Sequence, residues 1–230
     1  MKNNKGVSLV ELSIAIAIIG LLLSAVTEGF RMRKSAEIRG FLTEISTFQI
    51  AIDGFDLKYR DLPGDIPDAF TYWGVACATT DNCNGNGDGK IDLGTGADSE
   101  AYRSWQHLVL SEFIGGSYTG TATTIQADIG INIPASKRIK VGYSVQYSSG
   151  RTRNEMTLGA IYASNVNTNG AVTPLEAFTI DRKLDDGIPG SGRVYGIIGN
   201  DAGSNNCILS SAYAIAVTHL SCILTFPIKP

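Results

Sequence analysis

The chain has 230 residues and nearly balanced charges, with 19 Lys and Arg against 22 Asp and Glu and a net charge of −3. Its longest basic run is RMRK at residues 31–34, which excludes the basic footprint of a nucleic-acid-binding protein, so no nucleic acid is expected among its partners. The length fits one domain, or one domain with an appendage.

The first predicted element is an apolar run over residues 7–26 that a single carboxylate, Glu11, interrupts. About 20 apolar residues span the core of a bilayer, and a carboxylate at its centre costs about 2.5–3.5 kcal/mol. A secretory signal peptide cut near Ser24 and Ala25 and an ordinary transmembrane anchor both match the run, but neither requires the glutamate.

A third interpretation explains Glu11. If the chain is cut after Gly6, Val7 carries a free amine one helical turn from Glu11. We expect the carboxylate to be poorly satisfied in a single helix, whereas in a stack of helices it can pair with the amine of a neighbouring subunit. An ion pair in low dielectric requires good geometry, so it can fix the register between subunits.

Apolar residues continue beyond this run at helical spacing, close to a heptad seam. They are Ile38, Phe41, Leu42, Ile45, Phe48, Ile52, Phe55 and Tyr59. Pro63 and Gly64 end the pattern, so we predict one helix over residues 7–59, apolar all round in its first half and packed on a head in its second. Its expected weak points are Gly20, Gly29, Gly40 and Gly54. A tethered domain with a coiled-coil stalk fits the same stripe.

Four cysteines fall into two close pairs, Cys77 with Cys83 and Cys207 with Cys222. Three connectivities are possible, and local pairing is the simplest. Two disulfides indicate an oxidising compartment. The alternative is four reduced, buried cysteines in a cytosolic protein.

The segment NGNGDGKIDLGT, residues 84–95, is similar to the first half of an EF-hand or dockerin calcium loop. Calcium takes 6–8 oxygen ligands. The predicted donors are Asn84, Asn86, Asp88, the carbonyl of Lys90, and Asp92. Thr95 stands where a bidentate acid belongs, so Asp92, Asp98 or Glu100 would have to fold back to replace it. The alternative is an Asn-Gly-rich turn closed by the first disulfide.

Helices are predicted in the head at residues 99–114 and 173–187. In the second, Thr173 and Glu176 form a capping box, Pro174 suits the first turn and Gly187 fits the C-cap.

Strands are predicted at residues 138–148, 154–164 and 213–226, because these segments partly alternate and are rich in β-branched and aromatic residues. The last of them contains Cys222, which would tie the C-terminal strand to the Cys207 loop.

No enzyme motif is present, and no catalytic activity is expected. His107, on a predicted helix, and His219, in a predicted strand, have no nucleophile motif beside them. The glycine-rich segment at residues 187–196 is expected to be a turn. The acidic cluster of Asp181, Asp185 and Asp186 is expected to cap and solvate a helix end rather than bind metal.

The N-terminal residues KGVSLVELSIAIAIIGLLLSA resemble the class III signal of type IV pilins and type II secretion pseudopilins. In that family a short basic leader ends in Gly, an apolar residue follows the cut, and Glu is the fifth residue after it. Gly6, Val7 and Glu11 match these positions. At the position directly after the cut, however, Phe or Met is commoner than Val. Segments of the head, among them DLPGDIPDAFTYWG and CNGNGDGKID, are similar to one group of bacterial pilin-like proteins. This resemblance indicates relatedness but implies no particular chemical function.

The resemblance implies an α+β, pilin-like fold, in which a long N-terminal helix packs on a small antiparallel β-sheet head. The expected division is a cleaved leader at residues 1–6, a transmembrane and assembly half of the helix at 7–30, an amphipathic half at 31–60, and a head with disulfide loops at 61–230.

The same resemblance implies that a prepilin peptidase cuts after Gly6 and methylates Val7. The expected partners are other pilin subunits, homotypic or heterotypic, bound through the N-terminal helix, and an inner-membrane assembly platform. The expected location is the bacterial inner membrane, with a single pass and the head in the periplasm, or a surface filament after assembly.

The function implied first is that of a type II secretion pseudopilin, a class that often binds calcium in head loops. A type IV pilin, major or minor, serving adhesion, motility or DNA uptake is the alternative. A monomeric, signal-anchored periplasmic binding protein or enzyme is an alternative of a different class.

Overall fold

The computed structural model describes residues 8–77, 80–94, 100–121, 126–162, 165–201 and 206–228. The chain divides into two compact units, residues 1–39 and residues 40–230. The second unit therefore includes the last part of the N-terminal helix together with the head.

Helix α1 runs without interruption from Leu9 to Tyr59, 51 residues in all, as the apolar pattern predicts. All four glycines predicted as weak points lie inside it, and the helix continues through each. At Gly54 the missing side chain has a packing reason, because an added Cβ would come within 2.7 Å of the Phe113 ring. The helix ends at the predicted place, where Arg60 adopts a left-handed conformation (φ +64°) before Pro63 and Gly64.

In the described part of the head lie four further helices and a 3-10 turn, which spans Gly74–Cys77. They are α2 (Ala69–Trp73), α3 (Thr80–Cys83), α4 (Glu100–Leu110) and α5 (Pro174–Leu184). The capping box predicted for α5 is confirmed, since Thr173 Oγ1 accepts the amide of Glu176 and the Glu176 carboxylate accepts that of Thr173.

Two helix ends differ from the prediction. Helix α4 stops at Leu110 instead of residue 114, because the amide of Phe113 donates to the carbonyl of Leu108 and that of Glu112 to Val109. This is the Schellman pattern that closes a helix. Helix α5 has Asp185 as its C-cap, while Gly187, predicted there, lies two residues later with φ +79°.

Among its described residues, the head contains a five-stranded antiparallel sheet in the order β1-β2-β7-β4, with β3 paired to β2, and a separate two-stranded hairpin of β5 and β6. The strands are β1 (Val141–Ser148), β2 (Arg153–Tyr162), β3 (Asn165–Asn169), β4 (Tyr195–Ile198), β5 (Ile208–Leu209), β6 (Ala212–Tyr213) and β7 (Cys222–Pro227). The first two predicted strands are confirmed as the hairpin of β1 and β2, with Val141 opposite Ala160 and Ser148 opposite Arg153.

The third predicted strand, residues 213–226, is wrong as a single element. Ser210 and Ser211 both adopt positive φ and turn the chain into the short hairpin of β5 and β6. The Ala214 amide extends this hairpin by donating to the Cys207 carbonyl, and the Val217 amide then closes a turn on the Ala214 carbonyl before β7 begins at Cys222. His219 therefore lies in a bend instead of a strand.

The core of the second unit lies where α1, α4 and β1 meet. The Phe48 ring contacts Trp105 and Tyr143 edge-on, each with 5.0 Å between ring centroids. The predicted stripe faces this core, because Phe41, Ile45, Ile52 and Phe55 are almost completely buried. The α+β fold with a long helix on an antiparallel sheet is thus confirmed.

Candidate functional site

The apolar half of α1 is the first candidate site. Among the described residues, α1 is the one helix that is long and apolar enough to cross a membrane, judged by length and composition. Its apolar side chains from Leu9 to Val26 are exposed. The predicted processing residues, Gly6 and Val7, lie outside the described residues.

Glu11 has a local partner that the sequence reasoning missed. Its Oε2 accepts the amide of Ser8 at 2.9 Å, and the Ser8 hydroxyl accepts the amide of Val10 at 3.4 Å. This is close to the reciprocal arrangement of a capping box, for which the residues from Ser8 to Glu11 have the right spacing. The expectation that the carboxylate is poorly satisfied in a single helix is therefore corrected, because Glu11 caps the first turn of its own helix.

The two disulfides pair locally, as predicted. Cys77 is bonded to Cys83 and Cys207 to Cys222, with Cα atoms 5.2 and 5.1 Å apart. No free cysteine occurs among the described residues.

His107 lies beside the first disulfide, and the three residues would be close enough to hold a metal ion. Its Nδ1 accepts the amide of Gly64 at 2.9 Å, and its Nε2 is 3.0 Å from the carbonyl of Cys83. Burial lowers the pKa of His107 to about 3, so the ring is neutral. Both ring nitrogens have backbone partners and both sulfurs are in a disulfide, so this group is structural.

The predicted calcium loop is folded around hydrogen bonds to its own backbone. Asn84 Oδ1 accepts the amide of Phe70, which caps α2, instead of facing the other predicted ligands. Asn86 and Asp88 accept the amides of Asp88 and Lys90 respectively, at 2.9 Å each. Asp88 Oδ2 also lies 3.8 Å from Lys90 Nζ on the surface.

Asp92, the fifth predicted ligand, has an exposed side chain. Thr95 and Asp98, considered for the end of the loop, lie outside the described residues.

Two carboxylates from outside the loop occupy its inner side. Asp65 accepts the amides of Gly87 at 2.7 Å and Gly89 at 2.8 Å, one on each oxygen. Glu100 accepts the amides of Asn86 and Asp92, each at 2.9 Å. Glu100 thus folds back onto the loop, as the sequence allows, whereas Asp65 has no local sequence signal and was missed.

The loop carboxylates are buried and mutually repulsive. Burial is the largest cause that raises the pKa of both Asp65 and Glu100, and the charge of Asp65 raises that of Glu100 further. Hydrogen bonds from the loop amides oppose this rise in both groups. All of these donors are oxygen atoms, and hard oxygen ligands suit calcium. Asp65, Asp88 and Glu100 are nevertheless not among the described acidic groups whose oxygens all lie within 4.8 Å of one another.

The second acidic cluster closes the end of α5. Asp181 Oδ2 accepts the Tyr213 hydroxyl at 2.7 Å, and Oδ1 accepts the amide of Gly187 at 3.1 Å. Asp185 accepts the amides of Arg193 and Val194. Burial raises the pKa of Asp181 to about 6, and the nearby Asp185 and Asp186 add to the rise. These contacts agree with the capping role expected for the cluster, although its three carboxylates lie close enough to hold a metal ion.

Comparison with known proteins identifies the N-terminal segment. Residues 1–27 match the family model of the prokaryotic N-terminal methylation motif. No curated protein and no solved structure matches the chain. The motif implies processing by a prepilin peptidase and assembly with other pilin subunits, and with the apolar helix it is consistent with an inner-membrane-anchored protein. The chain thus carries a type IV pilin-like prepilin signal on an α+β, pilin-like fold.

Proposed function

We propose that this protein is a filament subunit of the type II secretion pseudopilin class, assembled after cleavage between Gly6 and Val7. The observation that carries the proposal is the methylation motif placed on a helix whose apolar half is exposed in the single chain. Surface of this kind must be covered by lipid or by other subunits. Its role is assembly, not catalysis, and the head lies in the periplasm.

The assembly step follows from the chemistry of the new N-terminus. Cleavage leaves a cationic amine on Val7, and Glu11 supplies a carboxylate one turn further along the helix. In the membrane both charges are costly unless they are paired. Pairing between neighbouring subunits, at one register of the stacked helices, satisfies both charges at once.

The choice of the pseudopilin class over a type IV pilin is supported by the loop at residues 84–92. We propose that this loop binds calcium, because its sequence resembles the first half of an EF-hand loop and its side chains supply oxygen donors. Deletion of the gene separates the two classes. A pseudopilin is required for export of a secreted protein, whereas loss of adhesion, motility or DNA uptake with normal export indicates a type IV pilin.

The role of Glu11 is tested by a matched pair of substitutions. Glu11→Gln keeps an oxygen that can accept the Ser8 amide but removes the charge, whereas Ser8→Ala weakens the local cap and keeps the charge. We expect Glu11→Gln to reduce filament entry at least about tenfold. Loss of an intersubunit ion pair worth about 1.4 kcal/mol would change the assembly equilibrium by a factor of ten. Ser8→Ala should assemble close to normally. The measurement is crosslinking of neighbouring subunits in membranes that contain the assembly machinery.

Equal assembly of Glu11→Gln and the unsubstituted protein would show that Glu11 acts as a helix cap alone. In that case the register role is wrong, while the processing of the N-terminus remains a separate question.

A further inference from the structure

We propose that residues 31–34, called here the basic turn, bind the headgroups of anionic phospholipids at the membrane surface. The basic turn has the sequence RMRK and directly follows the apolar half of α1. A lipid partner goes beyond the assembly role proposed above. The inference rests on the membrane anchoring and the orientation of that proposal, but not on the pseudopilin class.

The length of the apolar segment places the basic turn at headgroup depth. From Leu9 to Phe30 the helix measures about 33 Å at 1.5 Å per residue, and the hydrocarbon core of a bilayer is about 30 Å thick. Phe30 and Met32 are 65% and 66% exposed, so large apolar side chains are available at the boundary of that core. When Leu9 lies at one edge of the core, Arg31 and Lys34 therefore lie just beyond the other edge.

The basic side chains are distributed around the helix. Successive residues of an α-helix are rotated by about 100°, so Arg31 and Lys34 lie about 60° apart and Arg33 points away from Arg31. All three residues are exposed. Arg can bind a phosphate group through two parallel hydrogen bonds, and Lys binds it as a point charge. Headgroups of lipids on both sides of the helix can therefore be bound.

Acidic neighbours do not neutralise the basic turn. Glu28 lies 3.9 Å from Arg31, but both side chains are largely exposed, and such surface pairs are weak. Arg33 is exposed and forms no ion pair with a described residue. Three basic residues against Glu28 leave the segment with a net charge of +2. The next two charges along the helix, Glu37 and Arg39, cancel in formal charge.

The proposed orientation gives the basic turn a cost that headgroup binding offsets. Lys and Arg beside a membrane span normally mark the cytoplasmic side. With the head in the periplasm, the basic turn lies on the opposite side, where this bias disfavours it. Each Lys or Arg near an anionic membrane surface contributes roughly a fivefold preference for that surface. Because the attraction acts through charge, salt should weaken it.

The test is spin-label electron paramagnetic resonance on the full chain in phosphatidylcholine vesicles. The vesicles contain a trace of spin-labelled phosphatidylglycerol or spin-labelled phosphatidylcholine, and the immobilised fraction of each label gives its association with the protein. The natural chain should prefer phosphatidylglycerol at least about fivefold. Combining Arg31→Gln, Arg33→Gln and Lys34→Gln should lower that preference at least about threefold.

The matched control combines Arg31→Lys and Arg33→Lys, which keeps both charges and should keep the preference within about twofold. Gln and Lys are good helix formers, and circular dichroism reports whether each variant keeps its helix. Lys2 and Lys5 are the same in every variant, so the differences report the basic turn. On the natural chain, raising the salt from 0.05 to 0.5 M should lower the preference at least about twofold.

Each other outcome overturns the proposal in a distinguishable way. A preference that is unchanged in the Gln variant, or lost equally in the Lys variant, shows that charge in the basic turn does not select the lipid. Equal association of both lipids with the natural chain also overturns the proposal. Impaired subunit crosslinking of the Gln variant would then indicate an acidic protein surface as the partner.

The vesicle experiment also separates this inference from the function on which it rests. A chain that does not float with the vesicles overturns membrane anchoring itself. The vesicles contain no assembly machinery, so the lipid preference has no bearing on the filament role, which the Glu11 experiment tests independently.

Discussion

The backbone at Glu112 shows how a single residue can be strained by the element that it ends. Glu112 closes helix α4 in the left-handed region (φ +65°), where a residue with a Cβ is disfavoured by about 1–2 kcal/mol. Its side chain is exposed, so the strain comes from the backbone requirement of the helix end. Gly is the usual residue at this position of a Schellman motif.

We therefore expect Glu112→Gly to stabilise the head. Gly removes the left-handed strain but adds freedom to the unfolded chain, which leaves a net gain of about 0.5–1 kcal/mol. Chemical denaturation of the full chain in detergent measures it. Glu112→Ala is the control, because it removes the same side chain while keeping the Cβ, and a gain of equal size in that variant would contradict the backbone explanation.

The pKa of Asp181 is set by the surroundings of its side chain in the folded head. Its folded pKa of about 6 lies above the ordinary value of 3.8, so the folded state binds the proton more tightly than the unfolded state. Stability from this group is therefore highest at low pH and is lost as the pH rises through about 6.

Lowering the pH from 7 to 5 should stabilise the natural protein relative to Asp181→Asn by about 1 kcal/mol. Asn keeps the size of the side chain and can still bond to the Tyr213 hydroxyl, but it does not titrate. The difference between the two proteins isolates Asp181 from the other shifted carboxyls. Parallel pH profiles of melting temperature would show that Asp181 does not carry this proton linkage.

At the scale of elements, helix α1 and the hairpin of β1 and β2 could be predicted because their signals are local and periodic. The strand at residues 213–226 could not, because β-branched composition does not specify where a strand breaks. A turn in which the Val217 amide donates to the Ala214 carbonyl divides that segment, before β7 begins at Cys222. Strands β3 and β4 are both short; β3 pairs with the preceding strand β2, whereas β4 pairs with β7, which is distant in the chain.

Glu44 of α1 makes polar contacts with strand β1 and with the segment before it. Its carboxylate accepts hydrogen bonds from the Tyr143 hydroxyl at 2.8 Å, the Ser136 hydroxyl at 3.0 Å and the Lys137 amide at 3.2 Å. Tyr143 is completely buried. Sequence reasoning predicted the apolar stripe of the helix but not this polar contact, because no pattern links residues that far apart.

Substitution of Glu44 should lower the free energy of unfolding more than removal of the Tyr143 hydroxyl that it binds. Glu44→Ala leaves the buried Tyr143 hydroxyl with one partner fewer, at about 1–3 kcal/mol, whereas Tyr143→Phe removes donor and bond together at about 1 kcal/mol. Denaturation of both variants and of the double variant gives the coupling between them. Strictly additive costs would mean that Glu44 and Tyr143 do not act as a pair.

At the scale of the whole molecule, the candidate sites could be predicted from the sequence only where their residues are contiguous, as was true of the helices and strands. The prepilin signal and the Asn-Gly-Asp loop are contiguous in sequence and could be found there. Asp65 and the Ser8–Glu11 contact could not, since the first meets its loop only in the folded head and the second depends on where the helix begins. The chain combines an exposed apolar helix segment with a head that contains two disulfides, and these features are consistent with the filament subunit proposed above.

The most direct test of that account is the mass of the mature N-terminus, measured on the full chain produced together with a prepilin peptidase. The account predicts Val7 as the first residue, carrying one methyl group on its amine, because Gly6, Val7 and Glu11 stand at the positions of the matched motif. An intact Met1, or a cut near Ala25 typical of an ordinary signal peptide, would contradict it.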